Sequence, residues 1–470
     1  MSRVQRATMH LGVMATAMAL LPAPGTTGAQ PPAAEVARIR PHAARPAYWE
    51  YDGMPVVLIG GSVEDNLFQI PDLGAHLDLL KSAGGNYVRN TMSSRDEGNV
   101  WPFAQDGSWR YDLSRPNPDY WRRFEQLLRL AHERDIIVQI ELWDRFDFTR
   151  EPWTLNPYNP AININYTTAT SGLQPAYPNH PGRNDNPFFR TVPALDYNSV
   201  VLEFQHAQVE RMLSISLHYG NVLYCIDNET NGRPEWGSYW ARRLRERAAK
   251  AGVEVHTTEM WDAWDLSDPM HAYTFDHPDL YTFLDVSQNN HQTGQTHWDN
   301  LQRQRERIAA RPRPMNNVKI YGADTGPYGT DRDGAERFWR NLIGGTASVR
   351  FHRPPSGLAL SPQAQAHVRS ARMLADRFQF ARATPDVSSA QLLDREANEA
   401  YLTYGDGRYA VYLPDGGAVR LDLQGTVAGL TLQWLNVAAS EWSPAVPVQA
   451  RPLDLTAPGA GHWVALVGPQ

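Results

Sequence analysis

Short apolar and β-branched runs alternate along most of this chain with longer stretches whose apolar residues return every three or four positions. The runs predict strands at 56–59, 87–90, 136–142, 222–226, 253–258, 283–286, 318–321 and 347–351. Several are almost continuously apolar, as parallel strands covered on both faces must be. Helical spacing fills most of the intervals. Asn117-Pro118-Asp119 reads as a helix cap with proline in the first turn, followed by Trp121, Phe124, Leu127, Leu128 and Ala131 on one stripe. Further helices are predicted at 197–218, stopped at Tyr219-Gly220, and at 236–251, stopped at Gly252. Others follow at 298–310, 334–342 and 362–378. The segment after the fifth strand reads least clearly, and a short helix is expected there.

Eight strand–helix repeats predict an α/β chain folded as a (β/α)8 TIM barrel over residues 47–380. A doubly wound open sheet is the runner-up. That fold favours a phosphate-binding glycine turn after its first strand. Here Gly60-Gly61-Ser62 is followed by Val63-Glu64-Asp65, whose acids would repel a pyrophosphate. A Pro- and Asn-rich connection at 149–195 follows the third strand. Its Trp153, Tyr158, Tyr166, Tyr177, Phe188 and Phe189 point to an ordered lid. From 381 to 470 the period becomes two, with a hairpin signal at Gly405-Asp406-Gly407, so a small all-β sandwich is expected to follow the barrel. Packing against the barrel is the plainer use of that module and carbohydrate binding the other.

Composition places this fold in a compartment. Arg3 and Arg6, an apolar stretch at 11–21 and the small residues Thr27-Gly28-Ala29 read as a secretory signal over 1–29, with a Pro- and Ala-rich linker at 30–46. An exported protein, periplasmic or extracellular, is expected. Cleavage leaves 42 basic residues (44 less Arg3 and Arg6) against 51 acidic ones. This balance argues against nucleic acid or an anionic membrane as partner. The single cysteine, Cys225, lies inside an apolar run and is expected to be inert. No later stretch has the length and apolarity of a membrane span.

Chemistry in such a barrel gathers where strands end. The predicted ends carry Glu64, Asp65 and Asn66; Arg89 and Asn90; Glu141, Trp143, Asp144 and Arg145; Asp227, Asn228 and Glu229. Then come Glu259, Trp261, Asp262 and Trp264; Gln288, Asn289, Asn290 and His291; Asp324; and Arg350, His352 and Arg353. Carboxylates and amides suit sugar hydroxyls, indoles suit sugar faces, and two carboxyls can cut a glycosidic bond. For each Trp, core packing is the competing use. The fifteen histidines form no His-x-His pair and no zinc motif, and no Gly-x-Ser-x-Gly elbow is present, so no metal or other cofactor is expected.

Asn-Glu at the end of strand four, in YCIDNETNG, with an acid after strand seven, in IYGADTG, resembles the large clan of retaining (β/α)8 glycoside hydrolases. The chain is also similar in architecture, over about residues 47–470, to apiosidase-like glycoside hydrolases that carry a β module labelled collagen-binding. The resemblance implies Glu229 as acid/base, Asn228 as its companion on the sugar 2-hydroxyl and Asp324 as nucleophile. Substrate contacts are expected from Glu64, Asp65, Arg89, Glu141, Trp143, Asp144, Glu259, Trp261, Asn289, Asn290, His291 and His352. The clan places Glu where this chain has Asp324. The shorter acid keeps open an inverting enzyme with Asp324 as general base, or Glu259 as nucleophile. Two readings from other classes also stay open: a carbohydrate-binding barrel without catalysis, and a metal-dependent hydrolase. The lid at 149–195 favours a walled pocket and exo action.

Overall fold

The computed structural model describes residues 36–386, 390–423 and 428–469, so the signal segment and the start of the linker lie outside the described residues. Eight parallel strands form the barrel: β1 (Leu58–Gly61), β2 (Tyr87–Thr91), β3 (Ile137–Asp144), β4 (Val222–Asn228), β5 (Thr257–Thr258), β6 (Leu284–Asp285), β7 (Met315–Ile320) and β8 (Ser348–Phe351). Their hydrogen-bonded order is β5-β4-β3-β2-β1-β8-β7-β6, the order of a barrel. Strands β5 and β6, two residues each, stand at its two ends. The run at 253–258 therefore forms less strand than its pattern predicts. Around it pack α1 (Leu73–Ser82), α2 (Pro118–His132), α3 (Ser199–Ser216), α4 (Pro234–Lys250), α5 (Pro269–Asp276), α6 (Gly294–Arg307), α7 (Asp331–Ile343) and α8 (Pro362–Ala375). Asn117 caps α2 through the Asp119 N–H, with Pro118 in the first turn, and α5 is the short helix after β5.

The predicted linker needs correction from residue 37 onward. Ile39 is buried, and its N–H donates to the Gly220 carbonyl at 2.8 Å. The Arg38 guanidinium caps the end of α3 through the carbonyls of Leu217 and Tyr219. Arg40–His42, Arg45–Tyr51 and Met54–Val56 form an antiparallel sheet, which takes the start of the run at 56–59 out of the barrel strand. Trp49 of that sheet closes the floor of the barrel. Its indole donates to Asn316, whose amide reaches the Tyr87 hydroxyl, which in turn donates to Gln139.

The connection at 149–195 is ordered around its aromatic residues. Phe148, Trp153, Tyr158, Phe188 and Phe189 pack on one another and on Trp143, Trp236 and Trp240. Asn156, Asn159, Asn163 and Asn186 spend their amides on backbone carbonyls, which lets the loop bury its polar groups.

Antiparallel strands follow from Thr384–Pro385 onward in two sheets, one led by Tyr401–Gly405, Arg408–Leu413, Trp463–Pro469 and Leu430–Asn436, the other by Ala418–Leu421 and Leu453–Thr456. A shared apolar core joins them. Asp406 and Gly407 have φ of 50° and 72°, so the Asp-Gly turn links Gly405 to Arg408 in a tight hairpin. This β domain packs on the outer helices: Tyr412 stacks on Trp339 of α7, and Ser370 of α8 donates to the Val437 carbonyl.

Candidate active site

Strand β4 delivers Asn228 and Glu229 to the open end of the barrel. Asp227 and Asn228 still belong to the strand. Glu229 then takes φ +53°, in the left-handed region, and this turns its side chain away from the path a strand residue would follow. A non-glycine residue held there is strained, and such positions cluster at functional sites.

What holds the Glu229 carboxylate was not visible as an acid pair. Its Oε1 accepts from Lys319 Nζ, from the Tyr321 hydroxyl at 2.9 Å and from Gln288 Nε2 at 3.0 Å. No hydrogen bond reaches Oε2 among the described residues, and this atom is not sealed from solvent. Burial alone would raise the carboxyl. The Lys319 charge and the three donors outweigh burial and bring it down to about 2. Glu229 is therefore an anion gripped by one oxygen and open at the other.

Asn228 is oriented by two cations. Its Oδ1 accepts from Arg89 at 2.7 Å and from Lys319 at 3.0 Å, which fixes the amide and leaves its N–H2 without a partner among the described residues. Arg89 is itself clamped by both oxygens of Glu141 at 2.6 Å and by Asp65. Asp65 also accepts from Arg353 at 2.8 Å and lies 3.3 Å from His352 Nε2. Burial opposes its ionisation, but Arg89, His352 and Arg353 hold it well below the usual carboxylate range. Asp65, Arg89, Glu141 and His352 thus build the frame behind Asn228. Glu64, half-buried and 3.5 Å from Arg353, lines a 660 Å³ cleft beyond β1 and β2.

Asp324 does not join this cluster, and its sequence-based role as nucleophile is corrected here. At Gly322 (φ +118°) the backbone turns against Gly334 of α7, so closely that a Cβ on Gly322 would collide with the Gly334 nitrogen. Asp324 lies beyond that turn, exposed, with Oδ1 accepting from the Asp331 N–H at 3.0 Å while the Asp324 N–H donates to Asp331. The inward positions of strand seven belong to Lys319 and Tyr321.

Several expected substrate contacts are also occupied elsewhere. Trp143 is 1% exposed, inside the aromatic cluster of Phe188, Trp236 and Trp240, and Trp261 is 3% exposed. Neither presents a face to a sugar. Glu259 is sealed beneath α4: it accepts from the N–H groups of Asp227 and Met260, and a Cβ on Gly237 would collide with its Oε2. Asp144 is spent on Arg95 and on the Phe146 N–H. Asn289 donates to the His297 carbonyl, and Asn290 ties the carbonyls of Ser287 and Lys319. These amides brace the β6–β7 region.

The rim is aromatic. Trp264, 63% exposed, stacks on His291 with ring centres 4.7 Å apart. His291 meets the edges of Tyr321 and Tyr328, and those two rings lie 4.4 Å from each other. Asp262 stands on the same side. Beyond the ladder ends, a parallel bridge pairs Thr230 with Trp261, and the Asp262 N–H donates to the Thr230 carbonyl at 2.8 Å. Burial and then the Glu229 anion push the Asp262 carboxyl up to about 6. Gly182 of the long connection packs 3.9 Å from Asp262 Oδ2, measured from where its Cβ would be. Asn184 and Asn231 bind that connection to the loop after Glu229.

Among the described residues, no group of three or more His, Cys, Asp or Glu is arranged to hold a metal ion. Lys319 and Tyr321 are the site residues that sequence reasoning missed. The signal was a lysine between Val318 and Ile320 in an otherwise apolar run.

No protein-family model and no curated protein sequence matches this chain. Solved structures do match in fold. A glycoside hydrolase family 5 protein from Bacteroides vulgatus ATCC 8482 superposes with TM-score 0.61 at 13% identity, covering 92% of this chain and 94% of that one. An α-amylase from Geobacillus thermoleovorans complexed with acarbose gives 0.51 at 11%, covering 88% and 98%. A family 5 mannosidase from Rhizomucor miehei in complex with mannosyl-fructose gives 0.50 at 11%, covering 73% and 98%. At these identities the likeness is one of fold.

Proposed function

We propose that this protein is an exported glycoside hydrolase that works with retention, with Glu229 as the carboxylate that bonds the anomeric carbon. The observation that carries the reading is the Glu229 anion at the open end of β4, held through Oε1 by Lys319, Tyr321 and Gln288 with Oε2 left open. A nucleophilic carboxylate has to be charged and to keep one oxygen for carbon. The free N–H2 of Asn228 beside it suits a sugar hydroxyl, and the exposed Trp264–His291 stack suits a sugar face. Neighbours of like fold that are named glycoside hydrolases lend the reading support. The docking of 182–184 beside the site favours a pocket closed on one side, and with it exo action. The N-terminal signal pattern supports export.

This reverses the role the clan resemblance implies for Glu229. A carboxyl held near 2 has no proton to give at neutral or mildly acidic pH. The proton for the leaving oxygen must come from another group.

The test is a panel of plant and bacterial glycans and aryl glycosides, with the first-formed anomer read by NMR. Cleavage with retained configuration, reduced at least ~10³-fold in Glu229→Gln, is expected. Cleavage that Glu229→Gln leaves intact removes the assignment. Specific glycan binding with no cleavage on any substrate favours the binding-protein reading.

A further inference from the structure

We propose that Asp262 is the proton donor of this site and the base of its second half-reaction. The inference rests on the glycosidase reading above and supplies the group that reading lacks. Its first support is placement. The Thr230–Trp261 bridge carries β4 and β5 one step past their ladders, so that Asp262 emerges beside the loop that bears Glu229.

Its second support is freedom. Of the other acids at the strand ends, Asp65 and Glu141 are committed to Arg89, Asp144 and Asp147 to Arg95, Glu259 to two backbone N–H groups and Asp285 to Ser287; Glu64 faces Arg353, and Asp227 accepts from Trp236 through one oxygen and is wholly buried. No hydrogen bond reaches the Asp262 carboxyl among the described residues, and neither of its oxygens is sealed from solvent. Two neighbouring carboxyls, one clamped as an anion and the other unpaired, are the arrangement from which acid and nucleophile roles divide.

The groups facing Asp262 come from four directions. They are Glu229 after β4, Lys319 on β7, Arg145 after β3 and Tyr328 between β7 and α7. Burial and Glu229 favour the protonated acid, Lys319 and Arg145 oppose it, and the balance lies at about 6. Tyr321 is an unsuitable donor because its hydroxyl is spent on Glu229. His291 is less suited because burial and Arg337 bring it below the usual imidazole range, against the pull of Glu229, and its ring is stacked on Trp264.

The steps balance. Asp262 gives its proton to the glycosidic oxygen as the bond from that oxygen to C1 breaks, and Glu229 Oε2 forms a bond to C1. The aglycone leaves as an alcohol. Water then attacks C1, passes one proton to the Asp262 carboxylate, and the Glu229–C1 ester bond breaks. The acid is restored, and the sugar departs with its configuration retained.

Asp262→Asn tests this, with Asp262→Ala as a second variant and thermal melting to confirm folding. Each is assayed on an unactivated glycoside and on the matching 2,4-dinitrophenyl glycoside, whose leaving group needs no proton. On the unactivated glycoside, kcat/KM is expected to fall ~10²–10⁴-fold. On the activated one, kcat/KM is expected to stay within tenfold of wild type. Azide should restore turnover and yield a glycosyl azide of retained configuration. The alkaline limb of the wild-type kcat/KM profile, near pH 6, should vanish. Equal losses on both substrates with no azide product overturn the proposal, as does wild-type activity with the alkaline limb in place. A wild type that cleaves no glycoside overturns the glycosidase reading itself, and this proposal with it.

Discussion

Lys319→Met removes the one cation that touches Glu229 among the described residues while keeping the length and apolar stem of the side chain. The carboxyl's displacement from an ordinary 4.5 to about 2 corresponds to about 3 kcal/mol in favour of the anion. A depressed folded value stabilises the fold above pH 4.5, and that stabilisation is lost as pH falls through about 2. Without Lys319, burial dominates and the carboxyl should titrate above its ordinary value. At pH 7 the variant then either keeps a poorly paired buried anion or takes up a proton. The expected loss of stability is about 3 kcal/mol, tempered by the donors Tyr321 and Gln288. Urea denaturation at pH 7 and pH 4 reads this directly, because the penalty should shrink on acidification. The acidic limb of kcat/KM, low in the wild type, should rise by at least ~2 pH units. A folded variant with an unmoved acidic limb and the same penalty at both pH values would refute the reasoning.

Three further substitutions separate site from scaffold. Asp324→Ala should leave kcat/KM within twofold and cost about 1 kcal/mol in denaturant unfolding, through the lost bond to the Asp331 N–H. A large loss of activity would return Asp324 to the chemistry. Trp264→Ala, at an exposed ring, should leave the melting temperature unchanged and raise KM about tenfold, the equivalent of about 1.4 kcal/mol of lost stacking. An unchanged KM would remove the platform. Trp143→Ala should destabilise the protein by about 3–5 kcal/mol, as a truncated core aromatic does, and a stable variant with selective loss of sugar affinity would contradict its place in the core.

The barrel was legible because its strands are runs of β-branched residues between amphipathic helices, and periodicity reports that directly. Even so, β5 shrank to Thr257–Thr258, because apolar residues at 253 and 255 pack without joining the ladder. Glu229 was legible from YCIDNETNG, where three polar residues end an apolar strand. Its partners were not. A register shift between Asn317 and Ile320 lets Asn316, three residues earlier, serve the barrel floor while Lys319 serves Glu229, so simple alternation misreads which residues face inward. Asp324 was misread because a motif counts residues, while the turn at Gly322 decides where the chain goes. The indoles Trp143 and Trp264 look alike in sequence. Only packing of the long connection shows that the first is core and the second is rim.

The central claim is that Glu229 bonds the anomeric carbon. It is tested most directly by incubating the protein with a 2-deoxy-2-fluoro glycoside of the sugar it cleaves, bearing an activated leaving group, and mapping the trapped adduct by peptide mass spectrometry. A stoichiometric adduct on the peptide containing Glu229, fragmenting to that residue, is the expected result. An adduct on Asp324 or Asp262, or inverted products with no adduct while the natural substrate still turns over, would contradict it.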